Sequence, residues 1–376
     1  MKNNNKARII AFYLPQFHPF KENDEWWGKG FTEWTNVGKA KPLFKGHYQP
    51  KVPTELGYYD LRLPIVREQQ AQMAKEAGIY GFCYWHYWFG NGKRLIADIF
   101  DSVLESGKPN FPFCLGWANH SWYAKNWNAN GTTSSNKLLI EQTYPGIEDA
   151  KMHFEFLIKA FKDHRYILVD GRPLLYIFDP IHIPDLYIKK FKEWSINSGF
   201  PEGIYIVANI SDTAKTKEKD LLKRGFDAVN YQRITNVYDD RISNKILRKI
   251  NFEYQKLVNR IKGFPPNTSD YSKTYHSLIR KDTDSKEYVI PSIIPNWDHT
   301  PRSGNNGSLF INATPSTFKK HVIEALNVIS QKPTEHQLIF LKSWNEWGEG
   351  NYMEPDIKYG RGYLEALNEA ISDLSK

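Results

Sequence analysis

Cysteine is nearly absent from this chain, with only Cys83 and Cys114 in 376 residues. Both lie inside apolar runs, with no CxxC or other metal-ligand spacing. They read as buried thiols, and neither a disulfide framework nor a sulfur-bound zinc is expected. Long apolar stretches are missing too, since no run approaches the ~18 residues of a membrane span. The opening MKNNNKARIIAFYLPQF has a basic start but no unbroken apolar segment and no small-residue cleavage site. The expectation is therefore a cytoplasmic protein without signal peptide or transmembrane segment. No glycine-rich phosphate loop follows the first strand-like run, which weakens a dinucleotide-binding fold. His18, His47, His86, His120 and His299 show neither H-E-x-x-H nor paired helical spacing, so no metal and no cofactor is expected.

What is abundant is aromatic side chain: 15% of the residues, with 12 Trp, 22 Tyr and 22 Phe. A core needs aromatics, but Trp with its polar edge also stacks on flat, partly apolar ligands such as sugars or bases. The formal charge is +8. Much of it sits between Arg241 and Lys281, where Arg241, Lys245, Arg248, Lys249, Lys256, Arg260, Lys262, Lys273, Arg280 and Lys281 face only Glu253 and Asp270. Such a stretch reads most simply as a solvated helical face. The functional alternative is a patch for an anionic membrane surface or a lipid-linked, pyrophosphate-bearing glycan. Nucleic acid is not expected as a partner. Apart from Phe252, Tyr254 and Phe264 the stretch lacks interleaved aromatics, and no reader motif appears.

Short β-rich runs recur between amphipathic segments. They are Arg8–Leu14, Tyr80–Trp85, Pro112–Trp117, Pro173–Phe178, Gly203–Ala208, Phe226–Tyr231, Tyr288–Pro295 and Gln337–Trp344. Helical patterns fall at Leu63–Ala77, Ala150–Phe161, Leu186–Ser198 and Thr317–Ile329. Continuous apolar strands alternating with helices indicate a parallel sheet covered on both faces. Eight of them fit a closed α/β barrel of the (β/α)8 type better than an open sheet. The expected organisation is a single catalytic domain over residues 1–376, with long connections at 15–62 and 232–287, the latter a basic insertion.

Polar and aromatic residues gather where these strands end, the face on which barrel enzymes place their chemistry. Strand one leads into Tyr13 and His18, and its long connection carries Trp34 and His47. Strand two ends at Trp85 and His86; strand three runs into Trp117, Asn119, His120 and Trp122. Strands five, six and seven end at Asn209, Tyr231, and Trp297 with Asp298. Strand eight ends in Trp344, Asn345, Glu346 and Glu349. On a helical turn, residues three apart have Cβ atoms about 5–6 Å apart. That suits a carboxyl pair flanking one glycosidic bond with retention, where the separation is about 5–5.5 Å. Burial and mutual repulsion would raise one pKa and leave an acid beside a base.

The segments AFYLPQFHP (11–19), NDEWWGKGFTEWTNVGKAKPLFKGHYQP (23–50), YDLRLPIVREQQ (59–70), GIYGFCYWHYWF (78–89) and SWNEWGEGNYMEPD (343–356) are similar to the WbsX-type family. Its members are described as glycosyltransferases or as glycoside hydrolase family 99-like proteins, and the likeness covers nearly the whole chain. Family 99 itself resembles the chain more narrowly, in the WNEWxEG string and the barrel. That resemblance implies a retaining endo-acting enzyme working through a 1,2-anhydro sugar, with Glu346 as base toward the 2-hydroxyl and Glu349 as general acid. One departure stands out: where family members read W-A-N-E-N-W, this chain has His120 and Ser121 between Asn119 and Trp122. The leading expectation is a retaining glycoside hydrolase acting on a bacterial surface polysaccharide or its precursor. The alternatives are a glycosyltransferase of O-antigen or capsule assembly and a non-catalytic carbohydrate-binding barrel.

Overall fold

The computed structural model describes residues 7–127, 133–211, 216–234 and 245–374. Its frame is a parallel barrel in which every expected strand is found. In chain order the strands are β1 (Arg8–Tyr13), β2 (Gly81–Trp88), β3 (Phe113–Trp117), β4 (Arg172–Ile177), β5 (Tyr205–Ser211) and β6 (Ala228–Gln232). Then come β7, in two pieces (Val289–Ile290 and Ser292–Ile293), and β8 (Leu338–Leu341). Neighbours pair in the order β6, β5, β4, β3, β2, β1, β8. Closure falls to β7, whose first piece pairs with β6 and whose second pairs with β8. Pro291 separates the two pieces. A proline cannot donate to the ladder, so the closing strand breaks there.

Outside the barrel lie α1 (Pro64–Glu76), α2 (Asp98–Ser106), α3 (Ile147–Phe161), α4 (Asp185–Asn197), α5 (Glu218–Lys223), α6 (Lys245–Ile261), α7 (Pro315–Ile329) and α8 (Gly362–Asp373). Proline at the first helical position starts α1 and α7, where its missing N–H costs nothing. In α7, Thr314 adds a side-chain cap on the Thr317 amide at 3.3 Å. A left-handed Gly107 stops α2.

The strands are buried on both faces, by helices outside and by side chains within. Inside, an aromatic layer plugs the barrel below its mouth. Phe12 stacks on Trp85 (4.7 Å between ring centroids) and on Phe340 (5.0 Å), while Tyr176 meets Phe12 edge-on at 4.8 Å. Gly116 makes room for this layer: a Cβ there would lie 3.0 Å from Cys83 Sγ and 3.2 Å from the Trp85 ring. The floor of the site is thus a packed core and not a channel.

Candidate functional site

Beyond β8 the chain turns back on itself. Asn345 and Glu346 form a two-residue antiparallel ladder with Asn351 and Tyr352, and a single 3-10 turn, Trp347–Glu349, joins the two sides. The Asn345 side chain replaces a strand partner: Oδ1 accepts from the Leu14 amide at 2.8 Å and Nδ2 donates to the Leu14 carbonyl at 3.0 Å. This pins the end of β8 to the end of β1. Glu346 stands just before this turn and Glu349 ends it, and their shared contact to Arg302 places both on one side. The sequence spacing suggested an α-helical turn; the tighter form arises because the turn closes a ladder.

One cation gathers the carboxylates. Arg302 donates from Nη2 to Glu346 Oε1 at 2.9 Å and to Glu33 Oε2 at 2.8 Å, and from Nη1 to Glu349 Oε1 at 2.8 Å. His299 Nε2 lies 3.8 Å from the same Glu349 oxygen. Gly348 permits the assembly, since a Cβ there would fall 2.4 Å from Glu33 Oε2 and 2.9 Å from Arg302 Nε. Burial, and then the neighbouring Glu349, push the Glu346 pKa up to about 7, although Arg302 pulls the other way. Against the cost of burial, the three carboxylates raise the Arg302 pKa further. The site is thus three glutamates around one fixed cation, with Glu346 poised near neutral pH to take or release a proton.

The pair opens into a cavity of about 500 Å³, the size of a small-ligand site. Its walls are aromatic: Trp85 and Tyr87 from β2, Trp122 and Tyr123 from the hairpin after β3, and Trp26, Trp27 and Phe31 from the first long connection. Trp122 meets Tyr87 edge-on at 5.1 Å and Trp26 at 6.0 Å, which fixes these rings. Gln16, Asn36, Lys39, His120 and Lys342 supply polar groups along the same wall. Among the described residues, no group of three or more His, Cys, Asp or Glu is arranged to hold a metal ion.

Of the residues singled out in the sequence, Trp85, His120, Trp122, Glu346 and Glu349 line this cavity. The others stand behind it. Asp298 accepts from Gln49 at 2.6 Å, lies 2.9 Å from His47 Nε2, and through its own amide donates to the Glu349 carbonyl at 2.7 Å. Despite burial, His47 and Lys51 hold the Asp298 pKa down at about 2, so this carboxylate stays charged and buttresses the turn. Trp34 packs 5.5 Å from Trp347, and Trp344 is fully buried. Tyr13 donates to Gln70 at 2.6 Å, outside the barrel. His86 pairs with His153 (2.9 Å) toward α3, where burial lowers both pKa values, and Trp117 lies edge-on to His153. Asn119 bonds to Tyr144 and to the Asp179 backbone; Asn209 bonds to Tyr176. Tyr231 faces Glu218, Trp297 donates to Ser308, and His18 is buried within the first connection.

The charged groups around the pair that sequence reasoning did not single out are Arg302, Glu33, Lys39 and Lys342, and among the walls it passed over Tyr87, Trp26, Trp27 and Phe31. Glu33 lies within the quoted GFTEWTN string. Gly348, which a close backbone approach requires, was the one available signal for Arg302.

Comparisons with known proteins fit this picture. Residues 9–367 match the family model described as "Glycosyltransferase WbsX". Two curated relatives from Xanthomonas campestris pv. campestris strains, each called an uncharacterized protein, WxcX, are 32% identical over 370 residues, covering 97% of this chain and 50% of theirs. The chain therefore spans about half the length of these relatives. Among solved structures, a "Glycoside hydrolase-like protein" superposes with a TM-score of 0.57 at 15% identity, covering 99% of this chain and 95% of that one. A GH99 endo-alpha-mannosidase from Bacteroides thetaiotaomicron superposes with a TM-score of 0.54 at 14% identity, covering 98% and 97%. These likenesses establish a TIM-type barrel, and the family match, running from β1 to the last helix, makes this chain a member of the WbsX glycosyltransferase family.

Proposed function

We propose that the protein is a retaining glycoside hydrolase, endo-acting on a bacterial surface polysaccharide or its precursor. The observation that carries this reading is the Glu346–Glu349 pair, held on one side of a 3-10 turn by Arg302 at the floor of an aromatic-walled cavity. Aromatic walls present flat apolar faces to sugar rings, and the polar groups between them are placed to meet hydroxyls.

The resemblance to family 99 supplies the roles. Glu346 takes the proton of the sugar 2-hydroxyl as that oxygen attacks the anomeric carbon. Glu349 gives a proton to the departing glycosidic oxygen, so charge balances and a 1,2-anhydro sugar remains. Water then opens it, and the two carboxyl groups return to their starting states. A base with a pKa near 7 is well matched to a hydroxyl proton at neutral pH.

The family's description favours a second reading, transfer from an activated sugar. The chain contains one D-x-D triplet, Asp282–Asp284, of the kind that metal-dependent transferases use. Here Asp284 is fully buried, paired with Arg233 at 2.7 and 3.0 Å and with the Arg280 amide at 2.7 Å. That carboxylate has a structural task already.

The test is incubation with the surface polysaccharide of the source organism, read by mass spectrometry beside the Glu346→Gln and Glu349→Gln variants. Shortened oligosaccharides from the unsubstituted protein alone, with no nucleotide sugar present, are the expected result. No cleavage, with chain extension once nucleotide sugars and a lipid-linked acceptor are added, would replace hydrolysis by transfer.

A further inference from the structure

Helix α6 is oriented the wrong way round for a helix that serves its own core. Its large apolar side chains Ile250, Tyr254, Leu257 and Ile261 are each between 54% and 77% exposed, and Ile246 and Leu247 extend the stripe at 71% and 54%. The spacing of 4, 3 and 4 residues from Ile250 to Ile261 puts them on one face. The opposite face holds the helix to the protein: Asn259 donates to the Pro266 and Thr268 carbonyls, both at 2.9 Å. Phe252, also on that side, lines a cavity of about 360 Å³ with Ile234, Asn267 and Phe310, and this cavity shares His299 with the active-site cavity. The stripe therefore points away from the molecule, on a helix that neighbours the barrel mouth.

Its borders are basic. At about 100° per residue, Lys249 and Arg260 fall along one edge of the stripe, and Lys262, just past the helix end with its amide still on the Val258 carbonyl, falls along the other. All three are exposed. The helix has a single acid, Glu253, already paired with Lys256 at 3.1 Å. An exposed apolar stripe bordered by cations is the pattern of a helix lying in a lipid interface, where long basic side chains reach the headgroups while apolar ones enter the acyl boundary. A second copy of the chain on this face would set the same cations against one another, which disfavours pairing. Among the described residues no helix is long and apolar enough to cross a membrane, so the contact is with its surface.

We propose that α6 seats the protein on an anionic lipid surface, with the barrel mouth close to the headgroups. The proposal does not depend on hydrolysis or transfer, and its test uses no sugar. The purified chain is floated with vesicles of phosphatidylcholine alone and of equal parts phosphatidylcholine and phosphatidylglycerol. The expected result is recovery with the anionic vesicles only, weakening as salt is raised. Charge reversal at Lys249, Arg260 and Lys262 to Glu should lower partitioning on the order of a hundredfold or more. The variant Ile250→Asp/Leu257→Asp/Ile261→Asp should abolish it; circular dichroism and a thermal transition for both variants check that the barrel is intact. Retained binding by either folded variant would overturn the proposal, as would no binding by the unsubstituted chain. If that chain instead proves dimeric by light scattering and the apolar variant monomeric, the stripe is a subunit contact and the lipid assignment falls.

Discussion

Arg302 and Glu349 are 47 residues apart in sequence and joined by a 2.8 Å charge-assisted hydrogen bond. The same guanidinium also holds Glu346 and Glu33. Three carboxyl groups in one partly buried spot repel one another, and the planar fork of arginine is the side chain that can answer several of them at fixed angles. Arg302→Lys keeps the charge and loses the fork. It should lower kcat/KM by about a hundredfold through misplaced carboxylates, with little change in the thermal transition. Arg302→Gln removes the charge, so the Glu346 pKa should rise further and the pH profile shift upward. Unaltered kinetics in both variants would mean that Arg302 has no part in the chemistry.

The acid limb of the pH profile distinguishes the roles of the pair. With its pKa at about 7, Glu346 is increasingly protonated below that pH. A base must be unprotonated, so kcat/KM should fall tenfold per unit as pH drops below about 7. If Glu346 were the acid the limb would reverse, with activity lost above that pH. Kinetics on a substrate with a good leaving group adds the second half of the argument. Glu349→Gln should recover much of its lost rate there, because little protonation is needed, whereas Glu346→Gln should not.

How far the sequence could be read follows from geometry. The strands were legible because each is a short apolar run covered on both sides. That same double covering hides which side of a strand faces the mouth. In β2 all residues from Gly81 to Trp88 are buried, so no polar–apolar alternation marks parity. Trp85 and Tyr87 point into the cavity, while His86 and Trp88 point outward to His153. Grouping His86 with the site was a parity error of one residue. Glu346 and Glu349 were legible because motif and spacing are local. Arg302 was not: it is one of 50 Lys and Arg residues, and what distinguishes it is a contact formed only when β7, β8 and the first connection meet. The basic stretch could be seen, but the outward direction of its apolar stripe could not. Arg241 lies outside the described residues.

A second buried carboxyl gives the fold its own pH dependence. Glu354 accepts from Trp347 Nε1 at 2.6 Å, Tyr59 Oη at 2.8 Å and Gln70 Nε2 at 2.6 Å, and burial still raises its pKa to about 7. Its folded pKa lies above the ordinary value, so the folded state binds the extra proton. Stability from this group is present below about pH 4.5 and is lost as pH rises through about 7, a loss of roughly 3 kcal/mol. Glu354→Gln should flatten that part of the stability curve, measured by denaturant unfolding between pH 5 and 8. Glu354→Ala should cost about 3 kcal/mol or more at any pH, because three buried donors lose their acceptor. A flat curve in the unsubstituted protein would show that Glu354 ionises freely.

His120 stands where the resemblance leads one to expect an acid, and it lines the cavity. Its ring packs 4.8 Å from Phe178. Burial lowers its pKa, and Nδ1 is buried with no hydrogen-bonding partner among the described residues. A neutral imidazole meets a sugar through Nε2 and carries no charge, whereas a carboxylate offers acceptors alone and repels acidic sugars. His120→Glu should therefore change selectivity more than catalytic power, lowering kcat/KM for an acidic glycan by about tenfold relative to a neutral one. Competition between a uronic-acid-containing and a neutral oligosaccharide in one reaction, followed by mass spectrometry, reads that ratio directly. The His120→Gln variant, which likewise carries no charge, should retain the original preference. If both variants lower the two rates equally, His120 supports the wall by packing and selects nothing.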